Sequence, residues 1–179
     1  MKIGLVRHFK VNLKREPFMT SDEYNKYMTK YDEAGIIENE VVIDKEWDKC
    51  YCSSLSRAII TAKTIYHGEI IITDKLVEIP FSARINTKIK LPYHLWAILN
   101  RIAWTRNHIS QPEARKVTLQ RINDILDVIL KEKDSNILIV SHAGTLYEIE
   151  RILLRKGFKG NKFLKARNGK LYEFENINL

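Results

Sequence analysis

The sequence has only two cysteines, and this scarcity excludes a disulfide framework. Cys50 and Cys52 stand one residue apart. Neighbours on the same face of a strand cannot easily bridge each other, and a C-x-C pair without further Cys or a nearby His is poor metal-ligand spacing. We therefore expect two reduced, partly buried thiols and no metal at this position.

Long apolar runs are also missing. No window reaches the 18 or so apolar residues that a membrane span needs, and the N-terminus lacks the charged, apolar and small-residue regions of a secretory signal. We expect a cytoplasmic protein that does not associate with a membrane.

The charge is basic, but it does not form a tail or a run. Lys and Arg outnumber Asp and Glu by 30 to 22, which gives a net charge of +8. Such an excess is compatible with nucleic acid, an anionic membrane surface or a small phosphorylated substrate. Because the basic residues are scattered, the charge alone does not choose among these partners.

What is present is the composition of an ordinary globular protein. The 179 residues are 45% apolar and 29% charged, which suits one domain with a full core. No internal repeat, low-complexity tract or linker divides the chain. We expect a single domain over residues 1–179.

Apolar periodicity predicts strands that alternate with amphipathic helices. The predicted strands cover residues 3–6, 41–43, 47–53, 69–73, 137–140 and 171–174, the last of them at a sheet edge. The predicted helices cover residues 20–35, 55–66, 95–102, 112–130 and 143–157. This alternation predicts a three-layer α/β sandwich, with a mostly parallel central sheet and helices on both faces.

Residues 81–110 are the least regular part of the sequence. Apolar residues at helical spacing are surrounded by Lys and Arg there, so the segment is either a basic helix that covers a site or a peripheral helix packed on the sheet. We predict that it forms part of a lid.

Three predicted strands are followed by polar residues, and each of these groups includes an Arg or a His. Arg7-His8, Ser53 to Arg57 and Ser141-His142 each follow an apolar run. In a parallel sheet these ends open on the same edge, where ligands bind in open α/β folds. Two imidazoles and two guanidiniums there would form an anion pocket, because Arg matches phosphate oxygens with two parallel hydrogen bonds.

The helices that follow would complete such a pocket. Helix N-termini near Leu55 and Ala143 add backbone N–H groups that favour an anion. A neighbouring cation lowers the pKa of a histidine, so either imidazole can stay neutral and nucleophilic. A pocket of this kind needs no metal, since the arginines already neutralise the phosphoryl charge.

The same three blocks carry a family resemblance. They are Leu5-Val6-Arg7-His8-Phe9, the run CSSLSRAIITA from Cys52 to Ala62, and the apolar strand that ends in Ser141-His142-Ala143-Gly144. In this order and at these separations, they resemble the L-V-R-H-G, S-S-x-L-x-R-A-x-x-T-A and S-H-x-G blocks of the histidine phosphatase superfamily. That superfamily contains the phosphoglycerate mutases and many phosphomonoesterases. The resemblance extends over the whole domain but is specific only in these blocks.

The resemblance implies a role for each matching residue. His8 would be the nucleophile that takes the phosphoryl group as phosphohistidine, while Arg7, Arg57 and His142 would hold the phosphoryl oxygens. Many members have an acidic proton donor after the fourth strand, and Glu78 stands at that place. The resemblance implies no metal and no other cofactor. For Glu78, a surface carboxylate is the alternative, and we expect the three other histidines on the surface or in packing: His67, His94 and His108.

Three departures from the family pattern bear on the function. Cys52 replaces the first Ser of the second block, and Phe9 replaces the usual Gly, which puts bulk beside the nucleophile and keeps a sensor without turnover open. Glu78 is followed by Ile-Pro-Phe-Ser-Ala rather than the Gly-x-Trp-Glu-Gly of the mutases, which weakens both its role as acid and a mutase function. We expect a metal-independent phosphomonoesterase that acts on a small phosphorylated metabolite. The alternatives are a phosphoglycerate mutase-type phosphotransferase, a phosphate sensor without turnover and, with no recognised motif to support it, a nucleic-acid binder. The sequence leaves the substrate and the oligomeric state open.

Overall fold

The computed structural model describes residues 1–37, 43 and 47–176. Within them lie ten strands: β1 (Lys2–Arg7), β2 (Lys10–Val11), β3 (Phe18–Met19), β4 (Ile36–Ile37), β5 (Lys49–Ser53), β6 (Ile70–Thr73), β7 (Leu91–Pro92), β8 (Ile137–Ser141), β9 (Lys159–Gly160) and β10 (Leu171–Glu175). They also hold five α-helices: α1 (Ser21–Glu33), α2 (Ser56–Ile65), α3 (Tyr93–Thr105), α4 (Arg115–Ile129) and α5 (Ala143–Arg155). None of the helices in this part of the chain combines the length and apolarity that a membrane crossing requires.

Contacts within the chain divide it into two compact units. The first comprises Met1–Lys10, Ile36–Glu78 and Arg121–Leu179, and the second comprises Val11–Gly35 and Ile79–Gln120. Residues 81–110 belong to the second unit. A single domain over residues 1–179, with residues 81–110 as its lid, stays a prediction.

The first unit contains a six-stranded sheet in the order β6-β5-β8-β1-β10-β9. Its four strands from β6 to β1 pair in parallel, and β10 pairs antiparallel with both β1 and β9. The predicted fold class, an α/β protein with a mostly parallel central sheet, is confirmed. The register pairs Arg7 with Ser141 and Cys52 with Val140, so β1, β8 and β5 end together at one edge of the sheet.

Side chains that alternate along the central strands form two apolar faces. On one face, Ile3 and Leu5 of β1 and Ile139 of β8 join a buried cluster with apolar residues of α4 and α5. On the opposite face, Val6 of β1 and Val140 of β8 join a second cluster with α2. Helices therefore cover both faces of the sheet in this unit, because strand side chains alternate in direction.

Two sequence predictions about element positions are wrong, and a third falls outside the described residues. β10 is not the edge strand, because the two-residue strand β9 pairs with its outer side. The fourth helix begins at Arg115 rather than at Pro112. The residue before Pro112 belongs to a loop, in which the side-chain amide of Gln111 donates to the Ser82 carbonyl over 3.0 Å. The predicted strand at residues 41–43 lies outside the described residues, apart from Ile43.

Aromatic packing organises the second unit. Thr20 and Glu23 form a capping box at the start of α1. Tyr24 of α1 stacks on Trp96 of α3 at a centroid distance of 5.5 Å, and the Trp96 indole donates to the Met19 carbonyl over 2.9 Å. Apolar side chains at helical spacing therefore serve as core in this unit.

The close packing around Gly4 generates a test of the sheet. A Cβ at Gly4 would lie 2.6 Å from Cη2 of Trp47 and 2.9 Å from Cδ1 of Leu171. We expect Gly4→Ala to lower the free energy of unfolding by about 1–3 kcal/mol, since overpacking a core costs this much. Urea denaturation would measure the loss.

Gly35→Ala is the matched control for Gly4→Ala. A Cβ at Gly35 would meet no heavy atom within 4 Å. We therefore expect no loss of stability, or a gain of about 0.4–1 kcal/mol from the less flexible unfolded chain. Equal destabilisation by the two substitutions would contradict the packing of Gly4 against Trp47.

Candidate active site

Hydrogen bonds from two directions fix the backbone at the end of β1. The His8 amide donates to the Ser141 carbonyl over 3.0 Å. On the other side, the Asn168 side-chain amide donates to the His8 carbonyl over 2.7 Å, and the Gly169 amide donates to the Arg7 carbonyl over 2.8 Å. Gly169 has a φ of 69°, which a glycine adopts without strain. The position of His8 is thus determined by β8 and by the turn before β10.

The His8 imidazole is held in one tautomer. Its Nδ1 lies 2.6 Å from the carbonyl oxygen of Phe9, and since a carbonyl only accepts, Nδ1 carries the proton and donates. Burial, aided by the Arg7 and Arg57 guanidiniums, lowers the pKa of His8 to about 3. The neutral ring therefore keeps a lone pair on Nε2, which makes no hydrogen bond to any residue that the structure describes.

His142 lies beside His8, with 5.0 Å between the ring centroids. Its Nδ1 accepts from Nε of Arg57 over 3.3 Å, and its Nε2 lies 2.7 Å from Oγ of Ser53. Because Nδ1 accepts, Nε2 must carry the proton and donate to Ser53. Burial lowers the pKa of His142, and the positive charges of the nearby arginines add to the effect.

Both ring nitrogens of His142 are thus engaged by protein groups. The predicted contact between His142 and a phosphoryl oxygen requires the imidazole ring to reorient, so that Nε2–H points to the ligand instead of Ser53. Such an exchange replaces one hydrogen bond by another.

The two arginines supply the positive charge of the site. Arg57 stands in the first turn of α2 and is 2% exposed. Nη1 of Arg7 donates to the Ala166 carbonyl over 3.1 Å, while Nε of Arg7 is buried and has no hydrogen-bond partner among the described residues. A buried donor of this kind is costly unless a ligand satisfies it.

Glu78 is fixed at the N-terminus of α5. Its Oε1 accepts from the amides of Gly144 and Thr145 over 3.1 and 3.2 Å, and its Oε2 lies 3.3 Å from the Gly144 amide. His142 is the N-cap residue of the same helix. The Glu78 carboxylate therefore lies at the helix end that also carries the second histidine, and a helix N-terminus favours a negative group.

Phe9 and Cys52, which depart from the family pattern, are both in the core. Phe9 is 1% exposed and belongs to the apolar cluster that includes Val6 and Ala58. Its bulk is accommodated beneath α2, and its amide donates to Thr61 over 2.9 Å. Cys52 is a free, buried cysteine, and burial raises the pKa of its thiol.

The structure brings together all five residues that the sequence singled out, at one end of the first unit: Arg7, His8, Arg57, Glu78 and His142. It leaves His67, His94 and His108 exposed, as expected. Among the residues that the structure describes, no group of three or more His, Cys, Asp or Glu could hold a metal ion. The catalytic and binding roles of the five residues stay predictions.

Several residues that position the side chains of the site were not predicted from the sequence. Ser53 and Thr61 lie within the second block, so their positions were known but not their partners. Asn168 and Gly169 form a pair typical of turns, which gives no indication of a contact with His8. Arg121, which contacts the segment before Glu78, has no local signal in the sequence.

A family model supports the same assignment. The model of the histidine phosphatase superfamily, branch 1, matches residues 39–176. This chain therefore belongs to the histidine phosphatase superfamily. The match begins after the Arg7-His8 strand, so the first block rests on its own sequence and on its place in the sheet. No curated protein matches the chain significantly.

Solved structures share the fold at low sequence identity. An α-ribazole phosphatase from Shigella flexneri is 18% identical with a TM-score of 0.61, over 99% of this chain and 92% of that one. A mycobacterial glucosyl-3-phosphoglycerate phosphatase is 14% identical with a TM-score of 0.55, over 96% and 88%. A phosphoserine phosphatase from Entamoeba histolytica, in complex with 3-phosphoglyceric acid, is 17% identical with a TM-score of 0.52, over 96% and 89%.

The lowered pKa of His8 predicts how stability depends on pH. Unfolded His8 takes up a proton below its ordinary pKa of 6.5, whereas folded His8 stays neutral down to about 3. Between these values the unfolded state binds more protons, so the free energy of unfolding falls as the pH falls. We expect His8→Asn to lose less stability than the wild type between pH 7 and pH 4.

Urea denaturation in phosphate-free buffer, at several values of pH, measures this difference. His67→Asn, at an exposed position outside the site, should keep the pH dependence of the wild type. An unchanged pH dependence in His8→Asn would contradict the burial of a neutral imidazole at His8.

Proposed function

We propose that this protein is a metal-independent phosphomonoesterase that acts through a phosphohistidine intermediate on His8. The observation that carries the proposal is the state of the His8 ring: its Nδ1 proton is bound by Phe9, while Nε2 keeps its lone pair. Arg7, Arg57 and His142 surround it with hydrogen-bond donors. Such an arrangement suits a nucleophile that must attack an anionic phosphoryl group.

In the first step, Nε2 of His8 attacks phosphorus as the bond from phosphorus to the leaving oxygen breaks. The electron pair of that bond goes to the leaving oxygen, which takes a proton from Glu78. The imidazole becomes positively charged, and the Phe9 carbonyl stabilises this charge by accepting from Nδ1–H. The guanidiniums of Arg7 and Arg57 hold the equatorial oxygens, where preorganised donors lower the barrier.

In the second step, water attacks the phosphorus of phosphohistidine. The water gives a proton to the Glu78 carboxylate, and the P–N bond breaks with its electron pair returning to Nε2. Inorganic phosphate leaves, and both His8 and Glu78 are restored. Glu78 thus acts first as acid and then as base, as one group in two successive steps can.

The packing of Phe9 supports an enzyme over a phosphate sensor. The sensor alternative rested on crowding of His8 by the aromatic ring, and the ring is packed in the apolar core. A mutase is disfavoured by the Ile79-Pro80 sequence after Glu78.

The substrate class is a small phosphorylated metabolite. The three neighbours are phosphatases with different substrates in their names: α-ribazole phosphate, glucosyl-3-phosphoglycerate and phosphoserine. All are monoesters of small organic molecules, which supports the class without selecting a member. The protein uses no cofactor and no nucleic-acid partner in this proposal.

The first experiment tests the nucleophile. We expect His8→Ala to lose turnover of p-nitrophenyl phosphate, because the substitution removes the nucleophile of the proposed mechanism. Enzyme quenched during turnover should carry a phosphoryl group on His8 that is labile in acid and stable in base, since it is joined by a P–N bond. Mass spectrometry of the quenched protein would detect it.

His67→Ala should keep full activity in the same assay, and EDTA should leave the wild-type rate unchanged. Turnover in His8→Ala, or strict dependence on a divalent cation, would rule out this mechanism.

The second experiment tests Glu78. A general acid contributes about 10²–10⁴-fold, and most where the leaving group is a poor one. We expect Glu78→Gln to slow hydrolysis of an alkyl phosphate such as glycerol phosphate severely and to spare p-nitrophenyl phosphate, whose leaving group needs no proton. Single-turnover rates with both substrates would measure the phosphorylation step directly.

Glu69→Gln, an exposed substitution of the same kind, should change neither rate. If Glu78→Gln slows both substrates equally, Glu78 is a structural cap of α5, and the proton donor is another group.

A further inference from the structure

The segment that carries Glu78 has little regular structure, although it must place a catalytic side chain. After β6 the chain makes one 3₁₀ turn at Asp74–Leu76 and then continues through residues 77–80 without regular secondary structure. Segments of this kind keep a fixed position only when their backbone groups are bonded to rigid elements. The carbonyls from Lys75 to Glu78 are bonded in this way.

Arg121 of α4 makes three of these bonds. Its Nη1 donates to the carbonyls of Lys75 and Val77 over 2.8 and 3.0 Å. Its Nη2 lies 3.5 Å from the carbonyl of Glu78. The planar guanidinium presents its donors in a fixed geometry, so one side chain aligns three carbonyls of the segment.

The corner between β8 and α5 binds the same segment from another side. Ser141 donates to the Leu76 carbonyl over 2.7 Å, and Thr145 donates to the Val77 carbonyl over the same distance. The Glu78 carboxylate accepts from the first turn of α5. The segment is therefore held between α4 and the helix that follows His142.

Arg121 belongs to a part of α4 that is packed into the core. The next residue, Ile122, and Leu126 one turn further are fully buried in the core of the first unit. The position of the guanidinium is thus set by the packing of α4 rather than by a loop. This is the arrangement expected of a residue that supports a functional group, because precision comes from packed elements.

We propose that Arg121 is a positioning residue for Glu78, which keeps the carboxyl group where its protonated form can protonate the leaving group. The inference rests on the proposed function of Glu78. Arg121 does not touch the substrate in this scheme. It acts through the backbone of residues 75–78, so its loss should affect the same two steps as the loss of Glu78, the first of which a single-turnover experiment isolates.

The test compares Arg121→Met with the wild type on two substrates in single-turnover experiments. We expect glycerol phosphate to be slowed by up to about 10²-fold, the cost of a misplacement of about 1 Å. Hydrolysis of p-nitrophenyl phosphate and the Kd of inorganic phosphate should change little. Arg155→Met, which removes an exposed arginine in the last turn of α5, is the matched control and should behave as wild type.

Arg121→Lys separates position from charge. The positive charge of Arg121 also contributes to the lowered pKa of His142, and lysine keeps the charge but not the planar fork. We expect Arg121→Lys to show most of the loss on glycerol phosphate. If Arg121→Met does not fold, Arg121→Lys decides the matter, and wild-type activity in it would overturn the proposal.

A double-substituted protein completes the experiment. If Arg121 acts through Glu78, adding Arg121→Met to Glu78→Gln should cost little beyond Glu78→Gln alone, since residues that act as a unit are not additive. Additive losses, or equal slowing of both substrates by Arg121→Met, would overturn the positioning role. If Glu78→Gln slows both substrates equally, the assignment of Glu78 as proton donor fails, and the inference about Arg121 fails for the same reason. Should Glu78→Gln show the preference and Arg121→Met not, only the inference fails.

Discussion

The site depends on one constraint, the parallel pairing of β1 with β8. The register that sets Arg7 opposite Ser141 places the residues after them side by side. His8 and His142 are more than a hundred residues apart in the chain, yet their ring centroids are 5.0 Å apart. A shift of one residue would turn the apolar side chains of a strand to the wrong face. The burial of the core strands therefore also determines the spacing of the two imidazoles.

Burial and positive charge act on these imidazoles in the same direction. Water is excluded from both rings, and the arginines oppose a further positive charge, so the pKa of each histidine is lowered. Such a group of cations, with the buried Nε of Arg7 unsatisfied by any described residue, is costly to fold without an anion. Under the proposed function the same feature is useful, because it keeps His8 nucleophilic and leaves donors for the phosphoryl oxygens. An oxyanion that binds only the folded state would offset the cost.

A second layer of hydrogen bonds positions the residues that surround the pocket, and most of its acceptors are backbone carbonyls. Asn168 binds the carbonyl of His8, and Arg121 binds those before and at Glu78. Ser53 accepts from the ring of His142 and so maintains its tautomer. These contacts come from strands, helices and turns that are distant in sequence. They fix the positions of the side chains of the site but take no part in the proposed reaction.

The sequence by itself determined the five longer strands of the sheet, the helices that cover its faces and the polar residues that follow β1, β5 and β8. Ile3 to Val6 and Ile137 to Val140 contain no polar side chain, which is the pattern of strands buried on both faces, and two of the three motif blocks fall at their ends. The tertiary structure alone decided what lies between these elements. The inner place of β10 depends on a two-residue partner, β9, that no periodicity reveals. The contacts of Ser53, Asn168 and Arg121 depend on distances across the fold. The local spacing of apolar residues indicates which face of a strand or helix is buried. A hydrogen bond between residues that are distant in the chain cannot be predicted from the sequence around either residue.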